Sequence, residues 1–327
     1  MCGCSGMPRG RGSKRRTSMP ELADAERLLR ERLGSQLRVR FPLAPLTSFR
    51  IGGPAALFVE AEDDEALEAV GRAMAETGVS VAVIGKGSNV LVSDEGFAGI
   101  VVRLGRGYRW AGRAGDLLTA GGAMPLPALA GIAMRHRLAG LEFGVAIPAS
   151  LGGAVKMNAG AHGRSMSEVI ERVEVYSLAT TARLSVSATE VGFEYRRSSL
   201  PADGVVVGAA ARLELGEEEE IRARMEEARD WRRRTQPLAE PNCGSVFKNP
   251  DGDHAARLIE AAGAKGLRLG GAQVSEKHSN FIVANPGASS SDVWNLIEQV
   301  RALVESNAGV RLETEVELMG GVADAGR

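Results

Sequence analysis

The chain has 327 residues, of which 44% are hydrophobic and 25% are charged, and its formal net charge at pH 7 is −1. This length is enough for roughly two domains, and the near-neutral charge argues against a nucleic-acid or membrane-surface partner. The sequence contains no stretch of about 18 apolar residues and no apolar signal segment, so we expect a cytoplasmic protein.

The predicted elements begin after a tail. Residues 1–20 are rich in glycine and basic side chains and lack apolar periodicity, so we predict that they are disordered. The next elements are a charged helix at 20–33, a glycine-rich turn at 47–55, a strand at 56–60, a helix at 63–77, a strand at 79–84, a glycine-rich turn at 85–89 and a strand at 100–104. This alternation predicts an α/β unit whose loop binds a ligand.

A charged helix is predicted to divide the rest of the chain. Before it lie an apolar helix at 125–138, a segment dense in glycine and alanine at 147–163, and strands at 169–178, 182–186 and 205–215. Residues 217–234 have seven acidic and six arginine side chains, which predicts a solvated linking helix and a domain boundary; a role of its last arginines near a diphosphate is the alternative. After it lie helices at 255–262 and 291–306 and strands at 280–284 and 315–319.

The cysteines and histidines show no spacing that is typical of a metal site. Cys2, Cys4 and Cys243 include no second pair that could complete a zinc site, and the four histidines are scattered. We therefore predict no metal and a reducing compartment.

The turn at 85–89, Gly-Lys-Gly-Ser-Asn, is the first candidate binding element. Its small residues leave main-chain N–H groups bare, and such groups can bind a phosphate. A strand follows it, so the turn is neither a G-x-G-x-x-G dinucleotide turn nor a P-loop. The small side chains of Gly152, Gly153 and Ala154 would likewise let the backbone approach a flat ring or a pyrophosphate. An ordinary tight turn and close packing are the respective alternatives.

The segment 242–250 is the second candidate. It places the hydroxyl of Ser245, the ammonium of Lys248 and the amide of Asn249 within five positions of a turn. These groups are sufficient to hold a substrate and to move a proton. The alternative for Ser245 is an ordinary loop serine.

Two further charged residues could take part in chemistry. One arginine of the segment Tyr195-Arg196-Arg197-Ser198 could polarise a carboxylate or a ring carbonyl through paired hydrogen bonds. Glu315 lies between Glu313 and Glu317 in an alternating strand, which predicts that all three share one face. The simpler alternatives are a surface arginine and a row of solvent-facing carboxylates.

Eight segments together resemble the UDP-N-acetylenolpyruvoylglucosamine reductase family. They lie at 47–54, 85–89, 147–163, 195–198, 236–237, 244–250, 277–281 and 312–316. This family makes UDP-N-acetylmuramate for peptidoglycan synthesis from an enolpyruvyl nucleotide sugar, with FAD as cofactor and NADPH as co-substrate. The connection after 195–198 is short, so the chain resembles the branch that lacks an inserted loop.

The resemblance implies an α+β architecture. An FAD-binding fold of the vanillyl-alcohol oxidase type would form two subdomains, 21–106 and 107–216, and a C-terminal α+β substrate-binding domain would span 217–322. It also implies a monomer that binds FAD non-covalently and acts on small molecules, without nucleic-acid or membrane partners. His162 departs from the family, where many members have tyrosine, and so does Ala149-Ser150-Leu151, in place of Gly-Thr-Val. An FAD-linked oxidase of the same fold and a non-catalytic binding protein are the alternatives.

The resemblance also implies site residues. Arg196, Ser245 and Glu315 would be catalytic, with Ser245 as the proton donor. Glu315 would have to be protonated or paired with Arg196, because an anion beside the enediolate intermediate would repel it. Either Lys248 or an ordered water would poise Ser245. The implied FAD contacts are Arg50, Gly85, Lys86, Gly87, Ser88, Asn89, Gly152, Gly153, Ala154, Asn158 and Gly160, and the implied substrate contacts are Lys248, Asn249, Lys265 and His278.

Overall fold

The computed structural model of the chain describes residues 18–321, so residues 1–17 of the predicted tail lie outside the described residues. Helix α1 (Met19–Leu33) begins one residue before the predicted position. The Ser18 side chain accepts a hydrogen bond from the Glu21 N–H, and the Glu21 carboxylate accepts one from the Ser18 N–H. This reciprocal capping satisfies N–H groups that a helix start otherwise leaves without partners.

The first region is a mixed four-stranded sheet covered by two helices. Its further elements are β1 (Leu37–Pro42), β2 (Pro54–Ala61), α2 (Asp64–Thr77), β3 (Val81–Val83), β4 (Val90–Val92) and β5 (Phe97–Leu104). The sheet order is β1-β2-β5-β3, with only β1 antiparallel to its neighbour. Apolar side chains of α1 and α2, such as Leu29 and Leu67, pack with Val59 and Val102 of the sheet. The predicted α/β alternation is confirmed here.

The second region is built on a five-stranded antiparallel sheet. Its elements are β6 (Ala111–Ala114), β7 (Leu117–Gly121), α3 (Leu126–Arg135), β8 (Leu138–Ala139), α4 (Leu151–Lys156), β9 (Gly160–Ala161), β10 (Arg164–Ser165), β11 (Ile170–Ser177), β12 (Ala182–Ser187), α5 (Ala188–Val191), β13 (Gly204–Arg212), β14 (Glu214–Leu215) and α6 (Glu218–Thr235). The sheet order is β12-β11-β13-β7-β6, and the sequence reasoning missed the β6–β7 hairpin at its edge.

Helix α6 is not a solvated linker. Its residues Ile221, Met225 and Ala228 are buried in the same core as α3 and the five-stranded sheet. Their spacing places them on one face of the helix, with the charged residues on the other. The sequence analysis assigned this helix to the C-terminal domain, and its buried side chains pack with the second region; the predicted boundary at 217 stays a prediction.

The third region is a small antiparallel sheet packed against two helices. Its elements are α7 (Ala255–Ala261), β15 (Arg268–Leu269), β16 (Ala272–Val274), β17 (Ile282–Ala284), α8 (Ser290–Ala308) and β18 (Glu317–Met319). Strands β15, β16 and β17 form the sheet, while β18 leaves this region. Within the described residues, no helix is long and apolar enough to cross a bilayer.

The third region is joined to the first by its last strand. Strand β18 pairs in parallel with β4, with Leu318 opposite Leu91, and the Ser93 N–H donates to the Met319 carbonyl at 2.8 Å. The Asp94 carboxylate in the following loop accepts hydrogen bonds from the main-chain N–H groups of Ser290 and Ser291 at the start of α8. The chain therefore returns to its first region two residues after Glu315, in a separate two-stranded sheet.

The packing of α6 makes a testable prediction. Replacing buried Met225 with alanine should lower the free energy of unfolding by about 2–5 kcal/mol, since a large apolar side chain is lost from a core. Glu226→Ala, one position along on the exposed face, is the matched control and should change it by less than about 0.5 kcal/mol. Urea denaturation followed by circular dichroism measures both, and equal effects would contradict the buried role of α6.

Candidate active site

A cleft of about 1390 Å³ lies where the three regions meet. Pockets for drug-sized ligands usually occupy roughly 300–1,000 Å³, so this one has room for a larger molecule or for two ligands. Residues from all three regions line it, among them the turn at 85–89, most of 146–161, Arg196, the segment 236–245 and Glu315. The predicted turn, the glycine–alanine segment and the three predicted catalytic residues thus share one cleft.

The turn at 85–89 has the form of an anion-binding element. Its main-chain N–H groups have no acceptor within the described part of the chain, so they are free to donate to a ligand. Gly87 has φ +60, and a Cβ there would overlap the Leu46 carbonyl oxygen. The Ser48 N–H donates to the Gly87 carbonyl at 3.0 Å, which holds the turn in place. Arg50 lines the cleft on the same segment as Ser48. These features fit the phosphates of FAD.

The second small-residue segment is a short helix, α4, and its glycines have two different roles. Gly152 is buried, and a Cβ there would lie 2.8 Å from the Val206 carbonyl oxygen of β13. Close packing, the alternative explanation, therefore accounts for Gly152. Gly153 is exposed within the cleft. A Cβ on Gly85 would lie 2.5 Å from the Ser150 hydroxyl that begins α4, so the two glycine segments are in contact.

Arg196 and Glu315 form an ion pair that is largely shielded from solvent. The Arg196 Nε lies 2.9 Å from Glu315 Oε1, and the two side chains are 21% and 18% exposed. Arg196 Nη2 also donates to the Gly160 carbonyl at 3.1 Å, and the guanidinium lies 4.9 Å from the centre of the Tyr195 ring. Arg196 adopts φ +56, a conformation that side-chain-bearing residues rarely take and that is often found at functional sites.

The environment of Glu315 favours its neutral form. Burial raises the pKa of the Glu315 carboxyl above its ordinary value, and the positive charges of Arg196 and Lys248 oppose this rise without cancelling it. Glu313 and Glu317 are exposed, so the three glutamates do not share one environment. The alternative of a solvent-facing carboxylate row is wrong for Glu315.

Ser245 is held next to Glu315 by main-chain pairing. The Glu315 N–H donates to the Val246 carbonyl at 2.7 Å, and the Val246 N–H donates to the Asn280 carbonyl at 2.9 Å. The Asn280 side chain accepts from the Phe247 N–H at 2.9 Å and donates to the Phe247 carbonyl at 2.8 Å. The buried Asn280 therefore fixes the segment that presents Ser245 to the cleft. The sequence reasoning gave this residue no role, although it lies in the motif at 277–281.

Five of the predicted contacts do not line the cleft. They are Asn158, Lys248, Asn249, Lys265 and His278. Each has another interaction in the structure. Asn158 Nδ2 donates to the Glu194 carbonyl, and Asn249 Oδ1 accepts from the Ala255 N–H at the start of α7. Lys248 pairs with Glu313, Lys265 pairs with Glu260, and the His278 ring contacts the Phe281 ring at a tilted angle. Burial lowers the pKa of His278, so its imidazole is neutral at pH 7. Their roles in binding stay predictions.

Several cations in the cleft, Arg232 and Lys156 among them, have no carboxylate partner within ion-pair distance among the residues described. Arg232 near the end of α6 is half-buried, and its Nε donates to the Gln236 side chain at 2.8 Å. Lys156 donates to the carbonyls of Leu200 and Pro201, and burial lowers the pKa of its ammonium. An anionic ligand would supply the missing negative charge. The sequence analysis considered Arg232, among the last arginines of its helix, as a diphosphate contact, but it gave Lys156 no role. In residues 18–321 no group of histidine, cysteine, aspartate and glutamate side chains could hold a metal ion.

Comparisons with known proteins agree with this geometry. Residues 236–319 match the family model described as the C-terminal domain of UDP-N-acetylenolpyruvoylglucosamine reductase, and residues 55–183 match a family described as an FAD binding domain. Proteins named UDP-N-acetylenolpyruvoylglucosamine reductase are similar to the chain. That of Halalkalibacterium halodurans is 42% identical over 92% of this chain and 99% of its own, and that of Heliobacterium modesticaldum is 45% identical over 85% and 89%. The crystal structure of the enzyme of this name from Thermus caldophilus superposes with a TM-score of 0.77 at 38% identity, covering 86% of this chain and 99% of its own.

The turn at 85–89 allows a cofactor test. We expect Gly87→Ala to weaken FAD binding by about 10-fold or more, because the displaced turn would lose hydrogen bonds of about 1 kcal/mol each to the phosphates. Gly78 also has positive φ, +71, but a Cβ there would meet nothing within 4 Å. Gly78→Ala therefore controls for backbone strain alone and should keep its FAD. The flavin-to-protein absorbance ratio and the dissociation constant report the result; equal FAD content in both variants would contradict the role of the turn.

Proposed function

Because the chain belongs to the UDP-N-acetylenolpyruvoylglucosamine reductase family, we propose that Arg196, Ser245 and Glu315 carry out the reduction of the enolpyruvyl nucleotide sugar to UDP-N-acetylmuramate. This step of peptidoglycan synthesis uses NADPH and FAD. The observation that supports these roles is the shielded Arg196–Glu315 pair beside the Ser245 segment, in the same cleft as the phosphate-binding turn. FAD, when bound, supplies the hydride chemistry between NADPH and the vinyl carbon of the substrate. The residues of the chain then have to bind the substrate carboxylate, stabilise the charge that develops, and deliver a proton.

Arg196 is suited to the substrate carboxylate. Its Nε and one Nη are occupied by Glu315 and Gly160, which orient the guanidinium, and its other N–H donors are available. Hydride addition to the vinyl carbon moves negative charge onto the carboxylate. A pre-oriented guanidinium stabilises this charge without a reorganisation cost, which is the main way in which charged sites lower a barrier.

Glu315 acts best as a neutral acid in this site. An ionised carboxylate next to the developing negative charge would raise the barrier, whereas a protonated carboxyl can donate a hydrogen bond to it. The raised pKa of Glu315 supports this form.

Ser245 is the group that we assign to protonation of the substrate carbon. It lies on the cleft one residue before Val246, whose carbonyl is bonded to the Glu315 N–H. Of the two groups considered for poising it, Lys248 pairs with Glu313 in this structure at 3.3 Å. An ordered water is therefore the better candidate.

The nucleotide diphosphate has a matching cation in Arg232, which lines the cleft with no ion-pair partner in the described chain. Lys248, Asn249, Lys265 and His278 are proposed to contact the substrate at the edge of the third region. We propose a monomer, and we place the reaction in the cytoplasm because both NADPH and nucleotide sugars are metabolites of that compartment.

The proposal is tested by an anaerobic flavin titration of the purified protein. NADPH should bleach the flavin absorbance, and the enolpyruvyl nucleotide should restore it with formation of UDP-N-acetylmuramate. Restoration only by oxygen would favour an oxidase of the same fold, and the absence of any reduction by NADPH would favour a non-catalytic binding protein.

Ser245→Ala should separate the two half-reactions. Reduction of the flavin by NADPH should keep its rate, because that step requires no proton from Ser245. Reoxidation by the enolpyruvyl nucleotide should slow by about 10²–10⁴-fold, the range of general acid catalysis. Stopped-flow measurement of each step decides the matter, and equal slowing of both would remove Ser245 from its assigned role.

The protonation state of Glu315 predicts a pH dependence. Its folded pKa is raised, so the neutral form persists above the ordinary pKa and is lost as pH rises through the folded value. Reoxidation by the substrate should therefore slow with rising pH. In Glu315→Gln this decline should disappear while a good part of the rate remains, because the amide keeps one donor. A rate as low as that of Glu315→Ala would show instead that Glu315 transfers a proton.

A further inference from the structure

Asn89 connects the cofactor turn to the segment that contains Glu315. Its side-chain Nδ2 donates a hydrogen bond to the Glu315 carbonyl at 2.9 Å, across 226 positions of the sequence. Its own carbonyl accepts one from the Glu317 N–H at 3.0 Å. The residue is the last of the turn at 85–89, directly before strand β4.

Glu315 is thereby held through both of its main-chain groups. Its N–H donates to the Val246 carbonyl at 2.7 Å, and its carbonyl accepts from Asn89. The carboxyl of the same residue lies 2.9 Å from Arg196 Nε. With the main chain bonded on two sides, few movements of the backbone remain that could change the distance between this carboxyl and Arg196.

The side chain and the main chain of Asn89 have separate tasks. The main-chain N–H groups of the turn, including that of Asn89, are without acceptors in the described residues and face the cleft that fits FAD. The side-chain amide instead donates its hydrogen bond to the Glu315 carbonyl. One residue therefore touches both the cofactor element and the catalytic segment.

We propose that Asn89 is a positioning residue, whose side-chain amide places the Glu315 carboxyl relative to Arg196 and to the cofactor turn. The inference rests on the proposed function and extends it. This role requires only the donor atom of the side chain. Asn89 has no positive φ, so alanine can adopt the same backbone conformation.

The first test compares three variants in the FAD-loaded protein. Asn89→Ala removes the amide, Asn89→Asp keeps its shape but replaces the donor with an oxygen that repels the Glu315 carbonyl, and Asn285→Ala is the matched control. Asn285 Nδ2 also donates to a main-chain carbonyl, that of Gly271 at 3.1 Å, but on an exposed part of the third region away from the cleft.

Both Asn89 variants keep the main-chain N–H of the turn, and each is assayed saturated with FAD, with its own rate of reduction by NADPH as the reference. Their limiting rate of reoxidation by the enolpyruvyl nucleotide should fall by about 10- to 100-fold, the effect of misplacing a catalytic group by about 1 Å, with little change in the half-saturating substrate concentration. Asn285→Ala should match the wild type. An Asn89→Asp variant as fast as the wild type would overturn the proposal, because the donor would then be irrelevant.

A double-mutant cycle shows whether Asn89 acts through Glu315. Adding Asn89→Ala to Glu315→Ala should slow reoxidation by less than about 2-fold further, since the group that Asn89 positions is already absent. Full multiplication of the two single effects would overturn the proposal and assign Asn89 an independent role.

Hydrogen exchange gives a readout that does not depend on turnover. In the FAD-loaded Asn89→Ala protein, the main-chain amides of residues 315–319 should exchange faster than in the wild type and in Asn285→Ala. Unchanged exchange would contradict the positioning role. Failure of the wild type to be reoxidised by the nucleotide would overturn the proposed function instead, so the two failures are distinguishable.

Discussion

The parallel pairing of β18 with β4 is the constraint on which the site depends. Strand β4 follows the turn at 85–89 and β18 begins two residues after Glu315, so their pairing brings Glu315 close to that turn. Further contacts join the two regions: Phe49 and Leu91 lie in the core of the third region, and the Ser290 N–H at the start of α8 donates to the Asp94 carboxylate. The position of Glu315 is therefore a consequence of strand pairing between two segments that lie far apart in the sequence.

Most cations that line the cleft have no carboxylate partner in the described structure. Arg196 has a carboxylate partner, whereas Arg50, Lys86, Lys156 and Arg232 line the cleft with no ion pair in the described structure. A set of unpaired cations in a partly shielded cleft favours polyanionic ligands, which agrees with a reaction whose cofactor, co-substrate and substrate all contain phosphate. The Arg196–Glu315 pair is the exception, and burial raises the pKa of its carboxyl above the ordinary value.

Two side-chain amides, those of the buried Asn280 and the half-buried Asn89, bond to main-chain groups beside the cleft. Asn280 forms two hydrogen bonds with the peptide groups of Phe247, and Asn89 forms one with Glu315. Each therefore holds one of the two adjoining segments that present Ser245 and Glu315. A site assembled from distant segments needs such contacts, because the reacting groups have to stay within a fraction of an ångström of their working geometry.

The sequence alone predicted the α/β alternation of the first region, the turn at 85–89 and the family. These features could be predicted because they depend on local periodicity, on short motifs and on the backbone freedom of glycine. The tertiary structure decided what depends on long-range contact. It showed that Ile221, Met225 and Ala228 bury a face of the highly charged α6, that Gly152 is small because β13 packs against it, and that Glu315 differs from its exposed neighbours Glu313 and Glu317. Composition and spacing could not separate these cases, since burial, pKa and hydrogen-bond partners are set by residues far away in the chain.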